Sequence, residues 1–202
     1  MNKSVQQKNP IEEFYIAARE YCKFIELAEE QNKLEFLSGV QKILTLIYLK
    51  ASLLEKSDDV LEEEAEKFVQ EEDWTHIQNA VAKRLGTIDK YIEVILPENS
   101  EPNNVETEGL SDCLADVYQD LKDFVLNYEI GNPDSLLAGL TNCMFEFDKY
   151  WGPRLLAILV NVHVAIYGFE LMENDDLSEN SDEGSNQNSN SDNWLINQRF
   201  NQ

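Results

Sequence analysis

The chain predicts an all-α fold: a single bundle of about six helices packed around a central apolar helix. Three observations predict it. Apolar residues recur at three- and four-residue spacing through several long windows. Asn, Pro and Gly stand where those windows begin and end. The chain has 202 residues and an apolar fraction of 43%, enough for one core. No internal repeat at solenoid periods is present.

Asn9-Pro10 fits an N-cap followed by proline at the first helical position. Phe14, Ala17, Ala18, Tyr21, Phe24, Ile25 and Ala28 then share one face, which predicts helix one over about 10–30. Gln31-Asn32 is a short connection. Helix two, over about 33–55, carries Leu34, Leu37, Val40, Ile43, Leu44, Ile47 and Leu54 on one face. Leu46, Tyr48 and Leu49 widen that stripe, so helix two is expected to be buried on more than one side. Residues 56–69 read as a solvated acidic loop or frayed helix. Helix three runs from about 70 to 86. Glu71, Glu72 and Asp73 complement its N-terminal dipole, Lys83 and Arg84 its other end, and Gly86 is a natural terminator. Residues 87–96 are ambiguous between a short helix and an extended piece, and 97–109 read as a loop.

Helix four is expected over about 111–130 and ends at Gly131-Asn132-Pro133, which also caps helix five, about 133–150. Trp151-Gly152-Pro153 is a break or kink. Helix six, 153–172, is nearly all apolar and is expected to be the buried hub. The domain is thus 1–172. Residues 173–193 form an acidic Asn/Ser-rich linker that cannot bury enough surface to fold. Residues 194–202 are a short hydrophobic terminal segment.

The chain carries 39 acidic against 16 basic residues, a formal charge of −23. Seven acids and one base lie beyond residue 172, so the body itself stands at −17. This composition excludes direct nucleic-acid binding through phosphate neutralisation and disfavours anionic membrane surfaces. It favours a protein partner with a basic surface. Cys22, Cys113 and Cys143 are too few and too far apart for a disulfide framework or a zinc knuckle, and a reducing cytoplasm is the simplest setting. The first ten residues show no signal peptide, and no window is long and apolar enough to span a bilayer.

Asp112, Asp116, Asp120 and Asp123 fall within roughly 80° on helix four, opposite Leu114, Val117, Leu121 and Val125. Three readings remain open: a solvated face available for interaction, pairing with an arginine, or a Mg²⁺/Mn²⁺ site built on Asp112, Asp116 and Asp120. No other cofactor is expected. Asp116, Asp120 and His163 are the weak catalytic candidates, His163 more simply a structural residue of helix six. His76 is expected on the surface. The acidic run at Glu62–Glu66 lacks the spaced second acidic motif of helical nucleotide pyrophosphatases. No Gly-x-Gly-x-x-Gly, P-loop, His-Glu-x-x-His or Gly-x-Ser-x-Gly motif is present. Trp194, Leu195, Ile196 and Phe200, with Arg199, close the chain as a segment that folds back on the body or docks on a partner. The expectation is therefore a non-enzymatic interaction module of the cytoplasm. The alternative is a metal-dependent hydrolase or nucleotide-processing enzyme.

The stretch Leu110-Ser-Asp-Cys-Leu-Ala-Asp-Val-Tyr-Gln-Asp-Leu-Lys-Asp123, followed by Trp151-Gly152 and by Ile158-Leu-Val-Asn-Val-His163, resembles a bacterial helical family, the domain of unknown function DUF5063. Glu71-Glu-Asp-Trp74 resembles a further landmark. The resemblance covers about residues 10–172; it implies an all-α fold and supplies no established activity. Cys113 stands where the family tends to have a second aspartate, and Val160 where it tends to have arginine. If those positions form an interhelical ion pair, both partners are absent here, which costs far less than the loss of one; if they are catalytic, this member is impaired.

Overall fold

A computed structural model describes residues 9–55, 65–97 and 105–168. All lie in the first of the two units into which the chain divides, Met1–Gly168. The order is α1 (Pro10–Glu26), α2 (Lys33–Ser52), α3 (Glu71–Leu85), β1 (Tyr91–Ile95), β2 (Val105–Gly109), α4 (Leu110–Glu129), α5 (Pro133–Glu146) and α6 (Gly152–Tyr167). Single 3₁₀ turns follow α1 and α3, and a π-helical turn, Phe147–Trp151, joins α5 to α6. The all-α class and the six helices stand as expected.

The helix starts follow from side-chain capping. Asn9, Asn32 and Asn132 each accept a backbone N–H of the first turn. Asp73 accepts from the Gln70 N–H at 3.1 Å. Gly86 and Gly131, both at positive φ, end α3 and α4, a conformation that a Cβ disfavours. α4 begins differently. Gly109 has no capping side chain, and Asp89, twenty-two residues earlier, accepts from both the Ser111 N–H (2.9 Å) and hydroxyl (2.8 Å).

Three expectations are corrected. The hub is α4, not helix six. α4 packs against α1, α3, α5 and α6 and buries residues around most of its circumference. α6 instead leaves Leu156, Val160, Val164 and Tyr167 exposed. A continuous apolar run marks a helix without water-facing charge, and this is not the same as a helix surrounded by others. α2 likewise buries one face only, and Leu46, Leu49 and Leu53 lie exposed. Finally, residues 91–95 and 105–109 form an antiparallel pair with Ile92 opposite Glu108 and Val94 opposite Glu106. β1 alternates, burying Ile92 and Val94, and packs on α6. The Val105-Glu-Thr-Glu-Gly109 strand lay inside the expected loop.

The core is aromatic where α1, α4 and the π-turn meet. Phe14 lies 5.0 Å from Phe124 and 6.5 Å from Trp151, ring centre to ring centre, and Phe147 lies 4.6 Å from Trp151. Pro153 has no N–H to continue a regular ladder. The π-turn before it absorbs the mismatch and turns the Trp151 indole N–H onto the Cys143 carbonyl at 2.8 Å. The linker 173–193, the terminal segment with Trp194, Arg199 and Phe200, and Glu62–Glu64 of the acidic run lie outside the described residues.

Candidate functional site

The aspartate row of α4 faces other elements rather than water, which corrects the expectation of a solvated stripe. α3 and the segment 65–70 pack over it. Asp112 accepts from the Gln78 amide at 3.0 Å. Asp116 accepts from the Trp74 indole at 2.8 Å and the Tyr150 hydroxyl at 2.9 Å, and lies 3.2 Å from Nε of Arg154. Asp123, 3% exposed, takes the backbone N–H groups of Phe68 (2.8 Å) and Val69 (3.0 Å) on one oxygen. Its other oxygen has no hydrogen bond, only the Lys67 ammonium at 3.7 Å, too long to be one. Asn127 adds a second clamp on the same segment, donating to the Glu66 carbonyl at 2.9 Å. Four like charges on one helix face are therefore tolerated because three of them are each matched to separate donors.

Asp120 is the exception. It is 8% exposed and accepts no hydrogen bond among the described residues. Burial raises its carboxyl from the ordinary range to about 7; Lys67 opposes the shift and Glu146, Asp116 and Asp123 reinforce it.

The charge that organises the site was not singled out from the sequence. Arg154 is the lone charged residue of α6 and is 3% exposed. Its guanidinium donates to Glu108 through Nε (2.8 Å) and by a short bond through a terminal nitrogen, to Glu106 at 3.3 Å and to the Tyr150 carbonyl at 3.2 Å. It also stacks over the Tyr150 ring, 3.7 Å from its centre. With Asp116, three carboxylates surround one arginine. β2 supplies two of them, α4 the third, and the π-turn supplies Tyr150. Burial pushes the Glu108 carboxyl up even with Arg154 against it. The signal was a single arginine in an otherwise uncharged helix, which needs buried acids to match it.

Beside this cluster opens a pocket of about 280 Å³, lined by Leu96, Glu106, Phe145, Glu146, Lys149, Tyr150 and Arg154. Both aromatic walls already hold a cation of the chain itself. Lys149 stands 4.4 Å from the Phe145 ring centre, and Arg154 covers Tyr150.

Of the remaining sequence candidates, His163 is exposed on α6, where Nδ1 lies 3.3 Å from the Gln41 amide nitrogen of α2. No hydrogen bond or ion pair joins it to the aspartates. His76 is on the surface as expected. Among the described residues no three His, Cys, Asp or Glu side chains gather with the geometry to hold a metal ion. The three cysteines are buried and unpaired. Cys113 leans 3.4 Å from Glu108 while Val160 is 64% exposed, so positions 113 and 160 do not meet across helices here. Among the described residues no helix is long and apolar enough to cross a membrane.

No curated protein matches the chain. Among solved structures, the crystal structure of protein BF1032 from Bacteroides fragilis is similar, with 30% identity and a TM-score of 0.69. The likeness covers 80% of this chain and 94% of that one. A family model described as a domain of unknown function, DUF5063, matches residues 5–168, the same span that carries α1 to α6 and the Arg154 cluster. The chain thus belongs to the DUF5063 family.

Proposed function

We propose that this protein is a non-enzymatic interaction module whose acidic, aromatic-walled pocket receives a basic side chain from a cytoplasmic partner. One observation carries the reading: three carboxylates converge on Arg154, and with Glu146 of the adjoining pocket four carboxylates face two cations, Arg154 and Lys149, each already stacked on a ring of the pocket wall. A cation entering there exchanges water for carboxylate contacts with Glu106 and Glu146, and reaches a ring only by displacing Lys149 from Phe145. An anion meets excess negative charge. The overall charge of −23 steers basic partners toward the protein and repels nucleic acid. In this reading Asp116, Asp112, Asp120 and Asp123 act from behind, positioning Arg154, α3 and the segment 65–70, rather than touching the partner.

The test is fluorescence anisotropy with labelled hexa-arginine and hexa-glutamate peptides at low and high salt. The reading expects binding of the basic peptide alone, weakening with salt. Loss of two rim charges in Glu106→Gln/Glu146→Gln should weaken it on the order of tenfold. Equal binding by the double variant, or none at low salt, overturns the reading. The alternative, a Mg²⁺- or Mn²⁺-dependent hydrolase, requires Asp112, Asp116 and Asp120 to meet at one ion. Its signature is a thermal shift with millimolar Mn²⁺ that vanishes in Asp116→Asn.

A further inference from the structure

α6 turns an apolar stripe to the surface. Leu156, Val160, Val164 and Tyr167 are 44% to 64% exposed and lie at i, i+4, i+8 and i+11 on one face. No acidic residue lies on α6, and its one charge, Arg154, is buried. In a chain of −23 this is a charge-free face. α2 packs alongside, joined by the Gln41–His163 contact and by the Tyr167 hydroxyl on Gln41 at 3.4 Å. Leu46, Leu49 and Leu53 of α2 are also exposed.

The spacing has a centre. Val160 is four residues from Leu156 and four from Val164. Tyr167 lies seven residues beyond Val160, and Pro153 lies seven before it. At Pro153 and Leu156 the stripe runs into an open, mostly apolar pocket of about 330 Å³, also walled by Tyr48, Ile95 and Phe147. One end of the stripe therefore carries a half-exposed ring, and the other end carries a hollow. A two-fold axis through Val160 exchanges the two ends.

We propose that this face binds a second copy of the same chain, α6 antiparallel to α6, with Val160 on the two-fold axis and the Tyr167 ring of each copy over the Pro153–Leu156 pocket of the other. The arrangement is isologous: Leu156 of one copy lies against Val164 of the other, and β-branched Val160 lets the helices approach closely. No like charges oppose one another along the helix pair. At roughly 150–200 Å² for a whole residue of these types, the exposed parts of the four stripe residues and Ile95 amount to on the order of 500 Å² per copy. That is more than half of the ~800 Å² per partner of a standard interface. A monomer would leave that area as one of the larger apolar patches of a soluble surface.

Sedimentation velocity of the full chain across micromolar concentrations tests this. The expected result is a species of about twice 23.3 kDa. Val160→Glu, at a site exposed enough not to disturb folding, should shift it to monomer by at least tenfold in dissociation constant while circular dichroism stays unchanged. Val160→Cys gives an independent readout. On the axis, each introduced thiol meets its own copy, so mild oxidation should link two chains, and the native cysteines, all buried, should not. A chain that is monomeric at every concentration, or a dimer that survives Val160→Glu and resists linkage at position 160, overturns the proposal.

Discussion

Replacing Asp120 by Asn should stabilise the protein, and the gain should grow with pH. Asp120 is nearly buried, has no hydrogen-bond donor among the described residues, and shares its surroundings with Asp116, Asp123 and Glu146. Its carboxyl titrates near 7 in the fold against 3.8 in an unfolded chain. Below the lower value both states hold the proton, and the residue contributes no pH dependence. Between the two, the unfolded chain releases the proton and the folded chain keeps it, so stability falls as pH rises. Above 7 the loss is complete, on the order of 4 kcal/mol as a ceiling before relaxation and water entry reduce it. Asparagine keeps the shape and cannot ionise. Urea unfolding followed by tryptophan fluorescence at pH 5 and pH 8 should therefore show Asp120→Asn the more stable. Its advantage should be larger at pH 8 by on the order of 2 kcal/mol. A variant no more stable than wild type at pH 8, or one with the same advantage at both pH values, would refute the placement of Asp120 in a dry, donor-poor site.

Arg154→Met should cost roughly 3–5 kcal/mol in urea unfolding, because three carboxylates lose their shared cation, whereas Glu106→Gln at the half-exposed edge should cost under about 1 kcal/mol. Asp123→Ala strands two backbone N–H groups and should cost about 2–4 kcal/mol, with hydrogen exchange accelerating first at the Phe68 and Val69 amides. Gly139→Ala would set a Cβ 2.5 Å from that of Asn127 where α5 crosses α4, and a lower melting temperature should report the strain, about 1–3 kcal/mol. Burial raises the Cys22, Cys113 and Cys143 thiols well above their ordinary range, so a thiol reagent at pH 8 should label none of them until denaturant is added.

Helix positions were legible because each start carries its own local signature. Asn9-Pro10, Asn32 and Asn132-Pro133 act through hydrogen bonds to their own first turns. Burial was less legible because it depends on neighbours. Counting apolar residues ranks α6 above α4, yet α4 is surrounded and α6 lies at the surface with a face turned outward. The aspartate row misled for the same reason. Like charges on a helix point to water only if nothing nearby donates hydrogen bonds, and here the donors come from residues distant in sequence: Gln78, Trp74, Tyr150, Arg154 and two amides of 65–70. The reading that left an arginine partner open for those aspartates was the nearest to the structure. β2 went unread because Glu106 and Glu108 alternate with small or exposed residues, and their role shows only when Arg154 is brought against them.

We propose the Arg154 cluster and the pocket beside it as the recognition surface. Amide chemical-shift mapping with unlabelled hexa-arginine tests it most directly. Shifts are expected in Val105–Gly109 and in 145–154, with the His163 end of α6 silent. Saturating binding whose shifts fall elsewhere, or basic peptide that leaves both segments unmoved, would contradict it.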